Sequence, residues 1–202
     1  MTSDDQQRVR AVGRGPKVRA AVHAATLAEL VDKGYAALTV DNVAQRAGVH
    51  KTTVYRRWED RESLVVDALT EHVAADIPVP DTGAIDTDLR ELAAALVRWL
   101  TSPAGQAVLA AMFSDAARLP EIAEARTRVL DDRLRRAEPV ISRAVERGDL
   151  PAETDPHELL KALAAPIYFR LLVHAEPVDD ATAEHAAELA LAAAHAGVLR
   201  RR

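Results

Sequence analysis

The stretch Thr39–Trp58, TVDNVAQRAGVHKTTVYRRW, decides the fold. It places Ala44, Gly48 and Val54 where a helix-turn-helix needs a small residue, a turn residue and an apolar residue. Ala44 lets two helices cross closely, and Gly48 can adopt the positive φ that ends the first helix. Val54 then anchors the second helix on the same core. This spacing predicts a helix-turn-helix.

The second helix of the pair is cationic. Residues 50–58 contain Lys51, Arg56 and Arg57 and no acidic residue. A short cationic helix that follows a glycine turn is suited to the major groove of DNA. The segment therefore predicts a DNA-binding protein rather than a generic helical one.

The composition favours a helical protein without disulfides. Only 3% of the 202 residues are aromatic although 49% are hydrophobic, so Ala, Leu and Val must form the core. No cysteine is present, which excludes disulfides and thiolate metal sites. No apolar run approaches the roughly 18–20 residues of a membrane span, and MTSDDQQRVR at the N-terminus does not resemble a signal peptide. We expect a cytoplasmic protein that requires no cofactor.

The net charge of −5 is unevenly distributed along the chain. Residues 1–66 contain 11 Lys and Arg against 8 Asp and Glu, whereas residues 67–202 contain 15 against 23. Binding to phosphates depends on local clustering of charge rather than on the total. An acidic protein can therefore present a basic DNA-binding segment.

Breaks in the helical pattern predict an all-α chain in three parts. IPVPDTG, Ile77–Gly83, is the clearest break, and the domain boundary falls between Glu71 and Gly83. We expect a flexible arm at 1–15, a helix-turn-helix domain with a connecting helix at 16–75, and a C-terminal domain at 76–202. Helices are predicted at Pro16–Lys33, Val40–Ala47, His50–Arg57, Arg61–Ala75, Asp86–Thr101, Pro103–Ala117, Glu121–Arg147, Pro156–His174 and Asp179–Leu199. Gly34 is expected to end the first helix, Thr39 to cap the second and Asp60 to cap the fourth.

The N-terminal third resembles the TetR family of bacterial transcriptional regulators. The resemblance is densest over Val22–Val65, with the Gly34-Tyr35 turn, the Ala47-Gly48-Val49 turn, Thr53-x-Tyr55 and the Arg61-Glu62-x-Leu64 start of the fourth helix. RGDLP at 147–151 and PIYFRLL at 166–172 resemble the C-terminal domains of the family more weakly. The resemblance implies an all-α homodimer with a three-helix DNA-binding head. A fourth helix would join this head to a C-terminal dimerisation and ligand domain.

The resemblance also implies which residues meet double-stranded DNA. Thr39 and Tyr55 should contact phosphates, and the Tyr55 ring can pack on the module while its hydroxyl reaches outward. The alternative for Tyr55 is a plain core aromatic. The start of the recognition helix should face the bases, and it comprises His50, Lys51, Thr52 and Thr53. Lys51 could read guanine, and a threonine methyl could touch a thymine methyl.

Two of these positions depart from the pattern of the family. Thr52 replaces a common glycine, and His50 stands where a small hydroxyl cap is common. Capping of the recognition helix is therefore in doubt, and these two positions are where operator preference could be set.

Four further arginines are candidates for contacts with DNA. Arg56, Arg57 and Arg61 could bind the phosphate backbone, or they could form surface ion pairs with Glu59 or Asp60. Arg14 belongs to an arm that could follow the minor groove. The alternative for Arg14 is a tail that contributes nothing.

The last two predicted helices, 157–174 and 179–199, are candidates for the dimer surface. One copy reads only a few base pairs, so two copies about one DNA turn apart are needed for a palindromic operator. The candidate interface residues lie on apolar stripes and are Leu160, Leu163, Ile167, Leu171, Ala187, Leu191 and Ala194. The alternative is that these stripes only fill the core of one chain. The resemblance favours a four-helix interface.

A small-molecule effector is expected from the resemblance alone. Candidate pocket residues are the large side chains and two polar neighbours beyond the boundary: Trp99, Met112, Phe113, Tyr168, Phe169, Arg170 and His174. Aromatic residues at helical spacing are more often core. Arg170 and His174 could meet an anionic ligand or pair with acids of the chain. The sequence does not indicate the chemistry of the effector.

Two other classes of function are weighed against a ligand-released repressor. One is a ligand-independent DNA-binding or architectural protein. The other is a helical enzyme, but the chain has no phosphate-binding glycine loop, no Gly-x-Ser-x-Gly elbow and no His-x-x-x-His pair. Glu184, His185 and Glu188 come nearest to a metal-binding cluster, and a solvated helix face explains them better. We expect neither catalysis nor a metal site.

Overall fold

The computed structural model of the chain describes residues 3–113 and 120–200, apart from the side chains of residues 3–14, 73–76, 111, 121, 122 and 125. Throughout this part of the chain the regular structure is helical. The one extended pairing within it is an isolated antiparallel bridge between Thr154 and Arg200. The predicted all-α class is confirmed.

The helices follow the predicted order. They are α1 Ser3–Ala37, α2 Val40–Ala47, α3 Lys51–Tyr55, α4 Arg61–Asp76, α5 Ile85–Thr101, α6 Pro103–Phe113, α7 Pro120–Arg147, α8 Pro156–Tyr168 and α9 Asp180–His195. A π-helical turn, Phe169–Val173, continues α8. The predicted end of α6 at Ala117 lies outside the described residues.

The first helix differs from the prediction at its start. It begins at Ser3, and Pro16 lies inside it rather than in its first turn. The backbone of residues 3–15 is thus helical, where we expected an arm without regular structure. Gln, Arg, Ala and Val in this segment are compatible with a helix, and acids near its start suit the helix dipole. At the other end the backbone leaves helical geometry at Gly34 with φ 72°, as predicted for the stop.

The chain divides into two compact units. The first comprises Met1–Glu71 with Gln106–Val129, and the second comprises His72–Gly105 with Leu130–Arg202. The first division lies near the predicted boundary at residue 75. The later segment Gln106–Val129 nevertheless belongs to the first unit. The predicted domains 16–75 and 76–202 are each continuous in sequence and therefore do not include this return of the chain. Proline and glycine mark where a helix ends, but they do not mark which helices it packs with.

Each unit has its own apolar core. In the first, the fully buried side chains include Val22, Val43, Val54 and Leu64 of α1 to α4, and Leu38 between α1 and α2. In the second, α5 packs against α9 and α9 packs against α8. The fully buried side chains there include Leu89, Leu100, Leu159, Ile167 and Ala190.

The proline-rich connection between α4 and α5 is held by two arginines of α7. Arg133 donates to the carbonyl of Ile77 at 3.1 Å, and Arg143 donates to the carbonyl of Pro80 at 2.7 Å. Arg143 also pairs with Asp81 at 3.2 Å. Burial lowers the pKa of Arg133 to about 10. The predicted break is therefore an ordered connection, fixed through its backbone carbonyls.

Among the helices of the described residues, none combines the length and the apolar character that crossing a membrane would require.

Candidate nucleic-acid interface

The helix-turn-helix forms as its sequence predicts. Thr39 caps α2, because its hydroxyl oxygen accepts a hydrogen bond from the backbone N–H of Asn42 at 3.1 Å. Gly48 ends α2 in the left-handed region, with φ 66° and ψ 33°. The next amide, of Val49, donates to the carbonyl of Ala44 at 3.0 Å. These local bonds set the angle at which the chain enters α3.

The recognition helix α3 has one buried side and one exposed side. Val54 is fully buried, while the neighbouring Tyr55 is 52% exposed. Exposure of Tyr55 rules out its alternative as a core aromatic. Thr53 is half-buried, and the other predicted contact residues are exposed: Thr39, His50, Lys51, Thr52, Arg56 and Arg57. The burial of Val54 thus presents a polar, cationic surface on the opposite side.

His50 occupies the N-cap position of α3 without capping it. Its backbone is extended, with φ −71° and ψ 141°, but its side chain makes no cap hydrogen bond. The doubt raised by the sequence is confirmed. The imidazole is left exposed at the start of the recognition helix.

The cations of α3 differ in how firmly they are held. Lys51 lies 3.7 Å from the carboxylate of Asp41, and both side chains are about two-thirds exposed. Exposed pairs of this kind contribute little, so Lys51 can exchange its partner for DNA. Arg56 is exposed, and its side chain makes no ion pair or hydrogen bond with the described part of the chain.

The side chains of Arg57 and Arg61 both bond to backbone carbonyls of the first unit. Arg57 donates to the carbonyl of Gly15 at 3.1 Å, which links the end of α3 to α1. Arg61 donates to the carbonyl of Leu38 at 3.3 Å, and its guanidinium lies 4.5 Å from the centre of the Tyr35 ring. Neither arginine forms the alternative ion pair with Glu59 or Asp60. The side chain of Arg14, the other predicted contact, lies outside the described residues.

Asp67, a residue that sequence reasoning missed, joins three segments of the first unit. Its carboxylate accepts from Arg19 and His23 of α1 and from the indole N–H of Trp58, each at 2.9 Å. Burial alone would raise the pKa of Asp67, but the bonds from Trp58 and His23 and the charge of Arg19 outweigh it and lower that pKa. A buried tryptophan needs an acceptor for its N–H. The one sign of this role in the sequence is that Asp67 is an acid within the otherwise apolar run VVDAL.

The fourth helix begins as predicted. Asp60 accepts from the backbone N–H of Ser63 at 2.7 Å, and the hydroxyl of Ser63 bonds back to Asp60. The backbone and hydroxyl bonds from Ser63 lower the pKa of Asp60. This reciprocal cap fixes the start of α4 directly after the recognition helix.

Comparison with known proteins identifies this head. The profile of the family described as "Bacterial regulatory proteins, tetR family" matches residues 23–68. That of "Tetracyclin repressor-like, C-terminal domain" matches residues 79–190. The chain belongs to the TetR family. It is a DNA-binding transcriptional regulator.

Individual TetR-family proteins resemble the chain over most of its length. The DNA-binding transcriptional repressor TetR of Mycobacteroides abscessus is 34% identical over 180 residues, which are 84% of this chain and 90% of the relative. The HTH-type transcriptional regulator AqdR of Rhodococcus erythropolis is 32% identical over 168 residues, 83% and 81% of the two chains. The crystal structure of the TetR family transcription regulator SCO0332 superposes with a TM-score of 0.74 at 31% identity, covering 87% of this chain and 97% of the other.

The predicted effector residues do not share one described cleft. Phe169, Arg170 and His174 line an open cleft of about 480 Å³ in the second unit. Arg170 bonds the carbonyl of Pro177 at 3.0 Å and pairs with Glu176 at 3.3 Å, so pairing within the chain accounts for its charge. His174 makes an edge contact with Phe169, with ring centres 4.8 Å apart.

The other predicted effector residues do not line that cleft. Trp99 is buried in the second unit, and its indole N–H has no acceptor in the part of the chain that the structure describes. Burial raises the pKa of Tyr168, in the same unit, to about 12. Met112 and Phe113 belong to the first unit, where Arg126 donates to the carbonyl of Met112 at 3.2 Å.

The predicted dimer stripe lies in the core of a single chain. Five of its residues are at most 5% exposed: Leu160, Leu163, Ile167, Ala187 and Ala194. Leu171 and Leu191 are half-buried. The prediction was wrong for the five buried residues, because the packing of α8 and α9 on α5 and on each other covers them. The alternative, that the stripe fills the chain's own core, describes them correctly.

The acids and histidine on α9 do not gather a metal-binding set. Glu184 pairs with Arg90 of α5 at 2.6 Å. Within the described residues, no group of three or more His, Asp or Glu side chains is arranged to hold a metal ion.

Proposed function

We propose that this regulator binds a palindromic operator as a homodimer in the bacterial cytoplasm and releases it when a small-molecule effector binds. The exposed face of α3 is the observation that carries the proposal. This face combines Lys51 and Arg56 with the hydroxyls of Thr52 and Tyr55, while Val54 anchors the helix from behind. Such a surface provides both phosphate contacts and base contacts.

The residues of this face divide into two roles. Thr39, Tyr55 and Arg56 bind phosphates and set the register of the head on the duplex. The start of α3 reads base edges, and it comprises His50, Lys51, Thr52 and Thr53. Lys51 has the donor that guanine requires, and its exposed pair with Asp41 costs little to break.

Arg57 and Arg61 support the interface from within the head. Their bonds to the carbonyls of Gly15 and Leu38 tie α3 and α4 to α1. Loss of either would disturb the position of the recognition helix rather than remove a direct contact.

The dimer interface is formed by the exposed apolar residues of α8 and α9 and not by their buried stripe of Leu, Ile and Ala. Exposed apolar residues remain on these helices after the core is formed: Ala165, Phe169, Leu172, Leu189 and Ala192. Small and large apolar residues on neighbouring helices allow close packing against a second copy. Two reading heads about 34–36 Å apart would then match successive major grooves.

The effector binds in the second unit. Trp99 offers a buried N–H without an acceptor among the described residues, and a ligand acceptor would satisfy it. The relative from Mycobacteroides abscessus is named a repressor, which favours repression here. Release requires that the ligand bind the DNA-free state more tightly, and the loss of operator affinity equals that difference.

Selection of bound duplexes from a random pool tests the DNA contacts. The wild-type protein should enrich a palindrome. Tyr55→Phe should weaken binding to all sequences, whereas Lys51→Ala should change the preferred base at one position of each half-site, by about 1–3 kcal/mol. Arg98→Ala removes an exposed cation of the second unit and serves as the charge-matched control. An unchanged base preference in Lys51→Ala would remove that residue from the reading set.

A further inference from the structure

The recognition helix is too short to hold its own position. It has five residues, and its N-cap residue provides no side-chain bond. Isolated helices of this length are unstable in water, because nucleation costs more than one turn recovers. The orientation of α3 therefore depends on the contacts at its two ends and on Val54.

The C-terminal end of α3 is fixed through Trp58. The backbone N–H of Trp58 donates to the carbonyl of Val54 at 3.0 Å, so the residue continues directly from the helix. Its indole is 5% exposed and donates to Asp67 at 2.9 Å. The guanidinium of Arg57 lies 6.0 Å from the centre of the same ring. The position of the indole thus affects both Arg57 and the C-terminal end of α3.

We propose that Asp67 is a positioning residue for DNA recognition: it holds the indole of Trp58 and thereby fixes the end of α3. This inference rests on the proposed function, in which α3 contacts the operator. Asp67 does not touch DNA in this role and acts only through Trp58.

Asp67 can serve as this anchor because it is itself held from another helix. Arg19 and His23, one turn apart on α1, both bond its carboxylate at 2.9 Å. The His23 ring also lies 5.7 Å from the Trp58 ring, centre to centre. The carboxylate therefore joins α1, α4 and the segment after α3. Without it, the buried indole N–H would lack an acceptor, and rotation to find one would shift Arg57 and the end of α3.

Glu71 provides a matched comparison on the same helix. It lies one turn beyond Asp67, is exposed, and pairs with the same Arg19 at 3.2 Å. No bond joins it to Trp58 in the described structure. Neutralising Glu71 removes the same charge from the same helix and leaves the indole contact in place.

The test measures affinity for the best duplex that the wild-type protein selects from a random pool, using full-length protein that circular dichroism shows to be folded. Asp67→Ala should weaken binding about tenfold, and Trp58→Phe, which removes the N–H but keeps an aromatic ring, about as much. The double variant should be no weaker than Trp58→Phe alone. Asp67→Asn keeps an acceptor and should recover most of the affinity, and Glu71→Gln should stay within about twofold.

The salt dependence separates positioning from mere stability. A displaced α3 loses phosphate contacts, so the slope of log affinity against log salt should become shallower in Asp67→Ala but not in Glu71→Gln. A role in stability alone would leave both affinity and slope of the folded variant unchanged, and that result overturns the proposal. Additive effects of Asp67→Ala and Trp58→Phe also overturn it. If Asp67→Ala does not fold, wild-type affinity in Trp58→Phe is sufficient to reject it. If the wild-type protein enriches no duplex, the proposed function fails and this inference fails with it.

Discussion

The helix pair α2–α3 and the helix pair α8–α9 expose opposite kinds of surface. In the first pair, Val54 is buried and the exposed side carries hydroxyls and cations. In the second pair, a wide stripe of Leu and Ala is buried, yet Phe169 and Leu172 remain 53% and 39% exposed. A polar cationic surface suits a nucleic acid, whereas an exposed apolar surface suits another protein chain. In the proposed function, the two pairs bind different partners.

The pairs also differ in what fixes their geometry. The α2–α3 pair depends on single residues, since Thr39 caps one helix and Gly48 turns the chain with φ 66°. The α8–α9 pair depends on packing along whole helix faces, on each other and on α5. Point changes should therefore act through local bonds in the first pair and through buried volume in the second.

The largest effect is expected in the second pair, from Ile167→Ala. Ile167 is fully buried within one chain, so the change leaves a cavity and should lower the free energy of unfolding by about 2–5 kcal/mol. The loss should appear in urea unfolding monitored by circular dichroism. Because the cavity lies within one chain, the loss of stability measured for the monomer should not depend on protein concentration.

Leu172→Ala is the control on the exposed side of the same segment. It should change the unfolding of the monomer little and instead weaken self-association, measured by analytical ultracentrifugation. If Ile167→Ala weakened association without loss of stability, the assignment of Ile167 to the core would be wrong. Ile167 would then belong to the dimer interface and not to the core of one chain.

These differences explain how far the sequence predicts the structure. The cap at Thr39, the turn at Gly48 and the cap at Asp60 depend on neighbours within four residues, and all three were predicted correctly. The stripe containing Ile167 has helical spacing, but spacing does not distinguish a face that packs inside one chain from a face that packs between two.

Contacts distant in sequence were the other part that the sequence did not reveal. The carboxylate of Asp67 meets residues 44 and 48 positions earlier in the chain. Arg61 bonds a carbonyl 23 positions away, in a turn of its own module. Arg61, a candidate for a contact with the phosphate backbone, also packs on the Tyr35 ring. Charge indicates that an arginine needs a partner, but only the fold determines whether that partner is a phosphate, a carbonyl or a ring.

A smaller effect is expected in the first unit, on acidification. Burial acts to raise the folded-state pKa of Asp67, but the bonds from Trp58 and His23 and the charge of Arg19 outweigh burial and lower it. The carboxylate therefore stabilises the head fully above its unfolded pKa of about 3.9 and loses this contribution as pH falls through the lower folded value. Stability of the head should fall below about pH 4, and Asp67→Asn should reduce that dependence.

The two tryptophans allow each unit to be followed separately in this experiment. Trp58 belongs to the first unit and Trp99 to the second. In a Trp99→Phe background, fluorescence of Trp58 should report the acid transition and its reduction by Asp67→Asn. In a Trp58→Phe background, Trp99 serves as the reference for the second unit. If the Trp58 signal depended on acid equally with and without the Asp67→Asn change, other carboxylates would control the stability of the head.

The smallest effect is expected at the first turn of α3, from His50→Ser. The backbone of His50 has φ −71° and ψ 141°, which suits an N-cap, but the imidazole makes no cap bond. The N–H of Thr53 already donates to the carbonyl of His50 at 2.8 Å. A serine hydroxyl at position 50 can accept from the backbone N–H of Thr52, so the free energy of unfolding should rise by about 0.5–1 kcal/mol. Thr39→Ala is the matched opposite, because it removes the bond to the N–H of Asn42 and should lower stability by about 1 kcal/mol. Urea unfolding of the two variants measures both changes. A His50→Ser variant no more stable than the wild-type protein would mean that α3 is held by Val54 and Trp58 alone, and that local capping matters in α2 but not in the recognition helix.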